Sequence, residues 1–172
     1  MGELIIIETV HMNEDDEIER SVQTHGWHAL NISDHEPPFV YTIGLMPHHP
    51  ELIIFGLDPE TANGILNVIV HETKQGRSFD KSVTYENVLE SGNIAIRPVH
   101  VTQHPLFLGY AMAYCRRLGR PGSLKAMQVF WPDTNGKFPF DAGCELDVYH
   151  SQPRLDIGLT PSELAEWKRE WQ

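Results

Sequence analysis

The segment YTIGL, residues 41–45, carries two hydrogen-bonding side chains inside a run that is otherwise apolar. In an extended strand the phenol of Tyr41 and the hydroxyl of Thr42 point to opposite faces of a sheet. Gly44 has no side chain, so another backbone or a ligand can approach closely there. The segment therefore predicts a strand that contributes Tyr41, Thr42 and Gly44 to a ligand site. A tyrosine packed at a sheet end with its hydroxyl satisfied is the structural alternative.

The segment QVFWPDTNGKFPF, residues 128–140, ends an apolar strand with a crowded set of polar and aromatic groups. Pro132 ends the strand, and the carboxylate of Asp133 is placed to cap the Thr-Asn-Gly turn that follows. Gln128 and Trp131 add an amide and an indole, which serve in a packed sheet end or in a pocket wall. We predict that Gln128, Trp131 and Asp133 line a small-molecule or cofactor pocket together with the YTIGL strand.

An enzymatic interpretation assigns Asp133 as an acid or base, with Tyr41 or His28 nearby. It requires these groups to lie within hydrogen-bonding reach of one substrate position. The sequence lacks a nucleophile elbow, a phosphate-binding glycine loop and a dinucleotide fingerprint. The spacing of His100 and His104 crosses a predicted boundary between strand and helix, and no metal-binding motif is present. We therefore predict no metal site, and the sequence assigns no cofactor.

The composition indicates one folded, acidic domain. The 172 residues carry a formal net charge of −11, which repels a phosphate backbone, so a nucleic-acid partner is not expected. No apolar run approaches the roughly 20 residues of a membrane span. The N-terminal residues are acidic where a secretion signal would be basic. Because the two cysteines are far apart and no export signal is seen, we expect reduced thiols in a soluble, cytoplasmic protein.

Hydrophobic periodicity predicts the elements that position these groups. Strands are predicted over residues 4–10, 27–32, 39–45, 52–57, 93–101 and 125–131. Helices are predicted to begin at Asn13, Asp58, His104 and Thr160. The last of these starts with a capping box and carries Trp167 and Trp171 on one side.

The order of these elements predicts an α+β fold. Three strands close together in sequence favour antiparallel pairing. We expect a mostly antiparallel sheet of about six strands with helices packed on one side, and a barrel-like closure is an alternative. The domain is expected to span residues 1–150, followed by a C-terminal extension, 151–172, that contains the short capped helix.

Five segments taken together resemble a known family. In chain order they are HGWH, FVYTIGL, PELIIFGL, QVFWPD and GKFPF. Over roughly residues 10–142 their order and spacing are similar to those of the bacterial family called domain of unknown function 4262. Where that family tends to show a second tryptophan after Pro139, this chain has Phe140, which keeps an aromatic ring but removes the indole donor. The resemblance implies no activity; it implies that the two motifs occur together, which fits one shared site.

Three functions from different classes remain open. The first is binding of a small molecule or cofactor between the Tyr41 strand and the loop of Trp131, Pro132 and Asp133. The second is protein interaction, with the Trp167 helix docking a partner and a homodimer as the simplest form. The third is the enzyme described above. The same residues could equally form a polar structural cluster that joins two parts of the sheet.

Overall fold

The computed structural model describes residues 13–90 and 92–170 as an α+β fold around a six-stranded mixed sheet. Its strands are β1 (His28–Ile32), β2 (Phe39–Ile43), β3 (Glu51–Phe55), β4 (Thr84–Leu89), β5 (Gly92–Pro98) and β6 (Ala126–Phe130). Its helices are α1 (Glu14–His25), α2 (Pro59–Lys74), α3 (His104–Phe107), α4 (Gly109–Arg117), α5 (Leu146–Ser151) and α6 (Pro161–Glu170), and a 3-10 turn spans Val101–Gln103. The predicted strand 4–10 and Trp171 lie outside the described residues.

Four of the five strand pairings are antiparallel. The sheet order is β1-β2-β3-β6-β5-β4, and β1, β2 and β3 pair in chain order as antiparallel neighbours, which confirms that prediction. The exception is the central pair of β3 and β6, which is parallel. A parallel pair requires a long crossover, and everything from α2 to α4 lies within it. The described sheet is open, with β1 and β4 at its edges, so the barrel-like alternative is not formed there.

Helices cover both faces of the sheet, so the prediction of helices on one side is wrong. Every residue of β2, β3 and β6 is buried. On one face Val40 and Ile54 pack with the apolar residues of α2, such as Leu66. On the other face Ile53 packs with Ile18 of α1 and with residues of α4. Strands that are buried on both faces have continuous apolar sequences. The apolar run of β3 was therefore the sequence signal for helices on both faces of the sheet.

Helix α2 begins as its sequence predicts. The side chain of Asp58 accepts a hydrogen bond of 2.9 Å from the backbone N–H of Thr61, and Pro59 occupies the first turn. The predicted capping box of α6 also forms. The backbone N–H of Thr160 donates to the Glu163 carboxylate at 2.7 Å, and the N–H of Glu163 donates back to the Thr160 hydroxyl at 3.2 Å.

No helix within the described residues is long and apolar enough to cross a membrane.

Candidate functional site

A buried carboxylate lies where β3 begins. The hydroxyl of Thr42 donates to Oε2 of Glu51 at 2.6 Å, and the backbone N–H groups of Gly44 and Met46 donate to Oε1 at 2.8 and 3.3 Å. The Thr42 hydroxyl also accepts from the N–H of Leu52 at 2.9 Å. Thr42 is therefore fully engaged inside the protein, where it ties the end of β2 to the start of β3.

Burial changes the acidity of Glu51. Desolvation raises its pKa to about 7, although the hydrogen bonds from Thr42 and from the backbone at Gly44 act in the opposite direction. The side chain is therefore divided between the neutral and charged forms near pH 7. Sequence reasoning missed this residue. The sequence shows only an acidic side chain directly before an apolar run, and its burial follows from the fold.

Gly44 allows a close approach between the end of β2 and α1. Its φ of +106° lies in a region that other residues adopt only with strain, and a Cβ atom there would stand 2.8 Å from Cγ2 of Val22. The sequence analysis expects another backbone or a ligand to approach Gly44, whereas the nearest group in the described residues is the Val22 side chain of α1.

Gly44 and Leu45 also form one wall of a surface cleft of 430 Å³, which we call the Gly44 cleft. The cleft lies between the 44–49 loop, the last turn of α2 and the segment after it. Its other lining residues include His48, His49, Thr73, Lys74 and Arg77. Within the described residues no aspartate or glutamate lines it, although the chain as a whole carries 24 acidic residues.

Two of these side chains hold the cleft in shape. Nε2 of His49 accepts a hydrogen bond from the backbone N–H of Phe79 at 3.1 Å, and its Nδ1 lies 2.7 Å from the carbonyl oxygen of Pro50. This pattern fits a neutral ring with the proton on Nδ1. The guanidinium of Arg77 lies 5.1 Å from the ring centre of Phe79 and donates to the Glu86 carbonyl at 2.8 Å. Both contacts fix the loop after α2.

Tyr41 is a core residue. Only 1% of its surface is exposed, and its ring packs in the core between the sheet and α4. Its hydroxyl accepts a hydrogen bond from the backbone N–H of Tyr110 at 3.3 Å. Burial raises the pKa of Tyr41 far above its usual value, so the phenol stays protonated. This arrangement matches the structural alternative for the segment.

Trp131 closes the opposite end of β3. Its indole Nε1–H donates to the carbonyl of Phe55 at 2.8 Å. Its backbone N–H donates to the side-chain oxygen of Gln152 at 3.0 Å, and the Gln152 amide donates back to the Trp131 carbonyl at 2.9 Å. The Gln152 side chain thus imitates a neighbouring strand at the end of β6.

Asp133 caps its own loop. One carboxylate oxygen accepts from the backbone N–H groups of Asn135 and Lys137, each at 2.8 Å, and the other accepts from the backbone N–H of Glu145 at 2.9 Å. The interpretation of Asp133 as a turn cap is confirmed, and the bond from Glu145 is an addition that short-range patterns do not reveal. These bonds, led by the one from Glu145, lower the pKa of Asp133, so the carboxylate is charged and fully engaged at neutral pH.

Gln128 is completely buried and joins the C-terminal segment to the sheet. Its amide nitrogen donates to the carbonyl of Pro153 at 2.6 Å, and its oxygen accepts from the N–H of Leu155 at 3.0 Å. The backbone N–H of His100 donates to the Leu155 carbonyl at 2.8 Å and extends the same connection. The segment around Pro153 and Leu155 is therefore bonded to the sheet through Gln128.

Replacing Gln128 by methionine is expected to lower the free energy of unfolding by about 2 kcal/mol, because the N–H of buried Leu155 and the carbonyl of half-buried Pro153 lose their partners. Chemical denaturation measures this change. The same substitution at exposed Gln23 in α1 is the control and should stay within about 0.5 kcal/mol of the wild type. Equal stability of the two variants would contradict the role assigned to Gln128.

His28 has a different neighbour from the other catalytic candidates. Its Nε2 lies 3.7 Å from the carboxylate of Glu14 in α1. It stands opposite Ile43 in the pairing of β1 with β2, and it lines a polar recess beside α2 with Asn63 and Asn67. Asp133, which is engaged by its own loop, does not line that recess.

The structure separates the two motifs that the sequence analysis places around one pocket. Thr42 bonds to Glu51, the first residue of β3, whereas Trp131 bonds to Phe55, the last. A strand of this length spans roughly 13 Å at 3.3 Å per residue. The motifs therefore lie at opposite ends of the central strands, and only the YTIGL motif contributes to the wall of the Gly44 cleft.

No group of three or more His, Cys, Asp or Glu side chains within residues 13–90 and 92–170 is placed to hold a metal ion.

The protein is an α+β domain with a mixed sheet that helices cover on both faces. Hydrogen bonds from Thr42 and Trp131 engage the first and last residues of β3. Residues 21–145 match the family model described as "Domain of unknown function (DUF4262)", and the chain belongs to that family. Both motifs lie inside the matched range. Comparisons with curated proteins and with solved structures give no match.

Proposed function

We propose that this domain binds a small anionic molecule in the Gly44 cleft. The observation that carries the proposal is the charge of the lining: Lys74 and Arg77 are cationic, and the lining residues include no carboxylate within the described residues, the nearest to Arg77 being that of Glu72 at 3.8 Å. The chain as a whole has a net charge of −11. A cationic recess on an acidic protein attracts anions locally.

The size and rigidity of the cleft support the same function. Its volume of 430 Å³ falls within the roughly 300–1,000 Å³ that is typical of ligand sites. The contacts of His49 with Phe79 and of Arg77 with the Glu86 carbonyl hold two walls in place without a ligand. A preformed site loses less entropy on binding.

The family motif supplies the third wall. Glu51 and Thr42 fix the backbone at Gly44, and Leu45 follows directly in the lining. In this proposal the YTIGL segment forms a wall of the cleft. Trp131 is hydrogen-bonded to Phe55 at the other end of β3 and does not line the cleft. Small-molecule binding is retained from the sequence interpretation, with the site moved to one motif.

Inorganic phosphate and citrate are suitable probes, added to the ¹⁵N-labelled chain at constant ionic strength. Amide signals of Gly44, Leu45 and Arg77 are expected to shift saturably. Replacing Lys74 by glutamine is expected to weaken binding about fivefold through loss of a charged hydrogen-bond donor. The control is the same change at exposed Lys81, which does not line the cleft. Equal weakening in both variants, or shifts spread over the whole surface, would reject the cleft as the site.

A further inference from the structure

His104 is buried and incompletely hydrogen-bonded. Only 7% of its surface is exposed, and its Nε2 is one of two buried side-chain polar atoms in the described residues without a partner. A buried polar group without a partner costs about 1–3 kcal/mol. A folded domain rarely keeps such a group without a reason, and a bound molecule is one of the reasons.

His104 lines a pocket of 230 Å³ between the 3-10 turn, α4 and the turn before β6, which we call the His104 pocket. Most of the other lining side chains are apolar, among them Val101, Met112, Pro121 and Leu124. An apolar protein cavity of about 150 Å³ is known to hold benzene, so this pocket has room for a six-membered ring and one further group.

The pocket also adjoins a larger surface groove. The groove has a volume of 860 Å³ and shares Val101, His104 and Leu124 with the pocket, so a small molecule can reach the pocket from the surface. No residue of the His104 pocket lines the Gly44 cleft, although His48 lines both the cleft and the groove.

The chemistry of the ring selects the ligand. Burial lowers the pKa of His104, an effect that the Val99 carbonyl partly offsets, so the imidazole is neutral at pH 7. A neutral ring has one donor and one acceptor nitrogen and carries no charge that would attract an anion. The one cation in the lining, Arg116, is exposed to water. An uncharged hydroxyl fits best, because it can donate a hydrogen bond to Nε2, the nitrogen that lacks a partner.

We propose that the His104 pocket binds a neutral aromatic alcohol of about the size of phenol. The ring lies among the apolar side chains, and the hydroxyl completes the hydrogen bonding of His104. A single polar group in an apolar pocket fixes the orientation of the ligand and discriminates against analogues that lack the hydroxyl.

The test compares phenol with benzene, which has nearly the same shape and no hydroxyl. Each is titrated into the full-length ¹⁵N-labelled chain, and the shifts of the backbone signals and of the His104 ring nitrogens are followed. Phenol is expected to bind about tenfold more tightly than benzene and to move the ring nitrogens of His104. Equal affinity for the two, or shifts that avoid Met112 and Leu124, would overturn the proposal.

Replacing His104 by phenylalanine keeps an aromatic ring and removes both nitrogens. Benzene binding is expected to persist while the preference for phenol disappears. The same change at exposed His71 in α2 is the control and should leave the preference intact. If the His104 variant does not fold, the comparison of phenol and benzene on the wild type still decides the proposal.

Discussion

Replacing Gly56 by alanine is expected to lower the free energy of unfolding by about 3 kcal/mol. Gly56 follows β3 with a φ of +78°, a conformation that costs alanine free energy. A Cβ atom there would also lie 2.5 Å from the carbonyl oxygen of Ser151 and 2.7 Å from its Cβ. The end of α5 would have to move away from the sheet. Urea unfolding followed by circular dichroism measures the loss.

Gly64 provides a matched control within the same chain. It lies inside α2, and a Cβ atom there would meet nothing within 4 Å. Alanine at this position is expected to leave stability unchanged or to raise it by about 0.5–1 kcal/mol, because glycine is a poor helix former. If the Gly56 and Gly64 variants unfold at the same urea concentration, the contact with Ser151 has no energetic importance.

The second large effect is a dependence of stability on pH that comes from Glu51. Its pKa is about 7 in the folded protein and near 4.5 without burial. The folded state therefore holds the proton more tightly. The stability that this provides is complete below about pH 4.5 and is lost as the pH rises through about 7. The loss is on the order of 3 kcal/mol at 1.36 kcal/mol per pKa unit.

Replacing Glu51 by glutamine should remove this dependence. The amide mimics the neutral acid: its oxygen can accept from Gly44, and its nitrogen can donate to the Thr42 hydroxyl. Relative to the wild type, the variant is expected to gain stability between pH 5 and pH 8, as measured by denaturation across that range. Glutamine at exposed Glu60 is the control and should follow the wild-type curve. A constant difference between wild type and the Glu51 variant at every pH would contradict the assigned pKa.

The parts of the fold that sequence predicts are those that local rules determine. Helix α2 follows from its capping residue Asp58 and its apolar periodicity, and the β1-β2-β3 meander follows from three strands separated by short loops. The turn cap at Asp133 is equally local. Strand β4 was missed because it is an edge strand in which only Val88 is buried and the register is irregular, so it shows no clear alternation.

The parts that sequence does not predict depend on contacts between distant segments. The hydrogen bonds of Gln128 involve residues 25 and 27 positions later, so nothing near it in sequence distinguishes a structural amide from a ligand-binding one. The burial of Glu51 depends on its contacts with Thr42 and Gly44 at the end of β2, which exist only in the folded protein. The two motifs looked like one site because they occur together, whereas the direction of the central strands places them at opposite ends.

The parallel pairing of β3 with β6 also affects how the chain reaches this fold. Ile53 pairs with Gln128, 75 residues later, whereas β1-β2-β3 and β4-β5 join neighbours in the chain. Such distant contacts form late, because closing the intervening loop costs entropy before any pairing offsets it. Until β6 enters, β3 and β5 each present an unpaired edge at the centre of the future sheet. The interval before that insertion is when the folding chain is most open to association with other copies of itself.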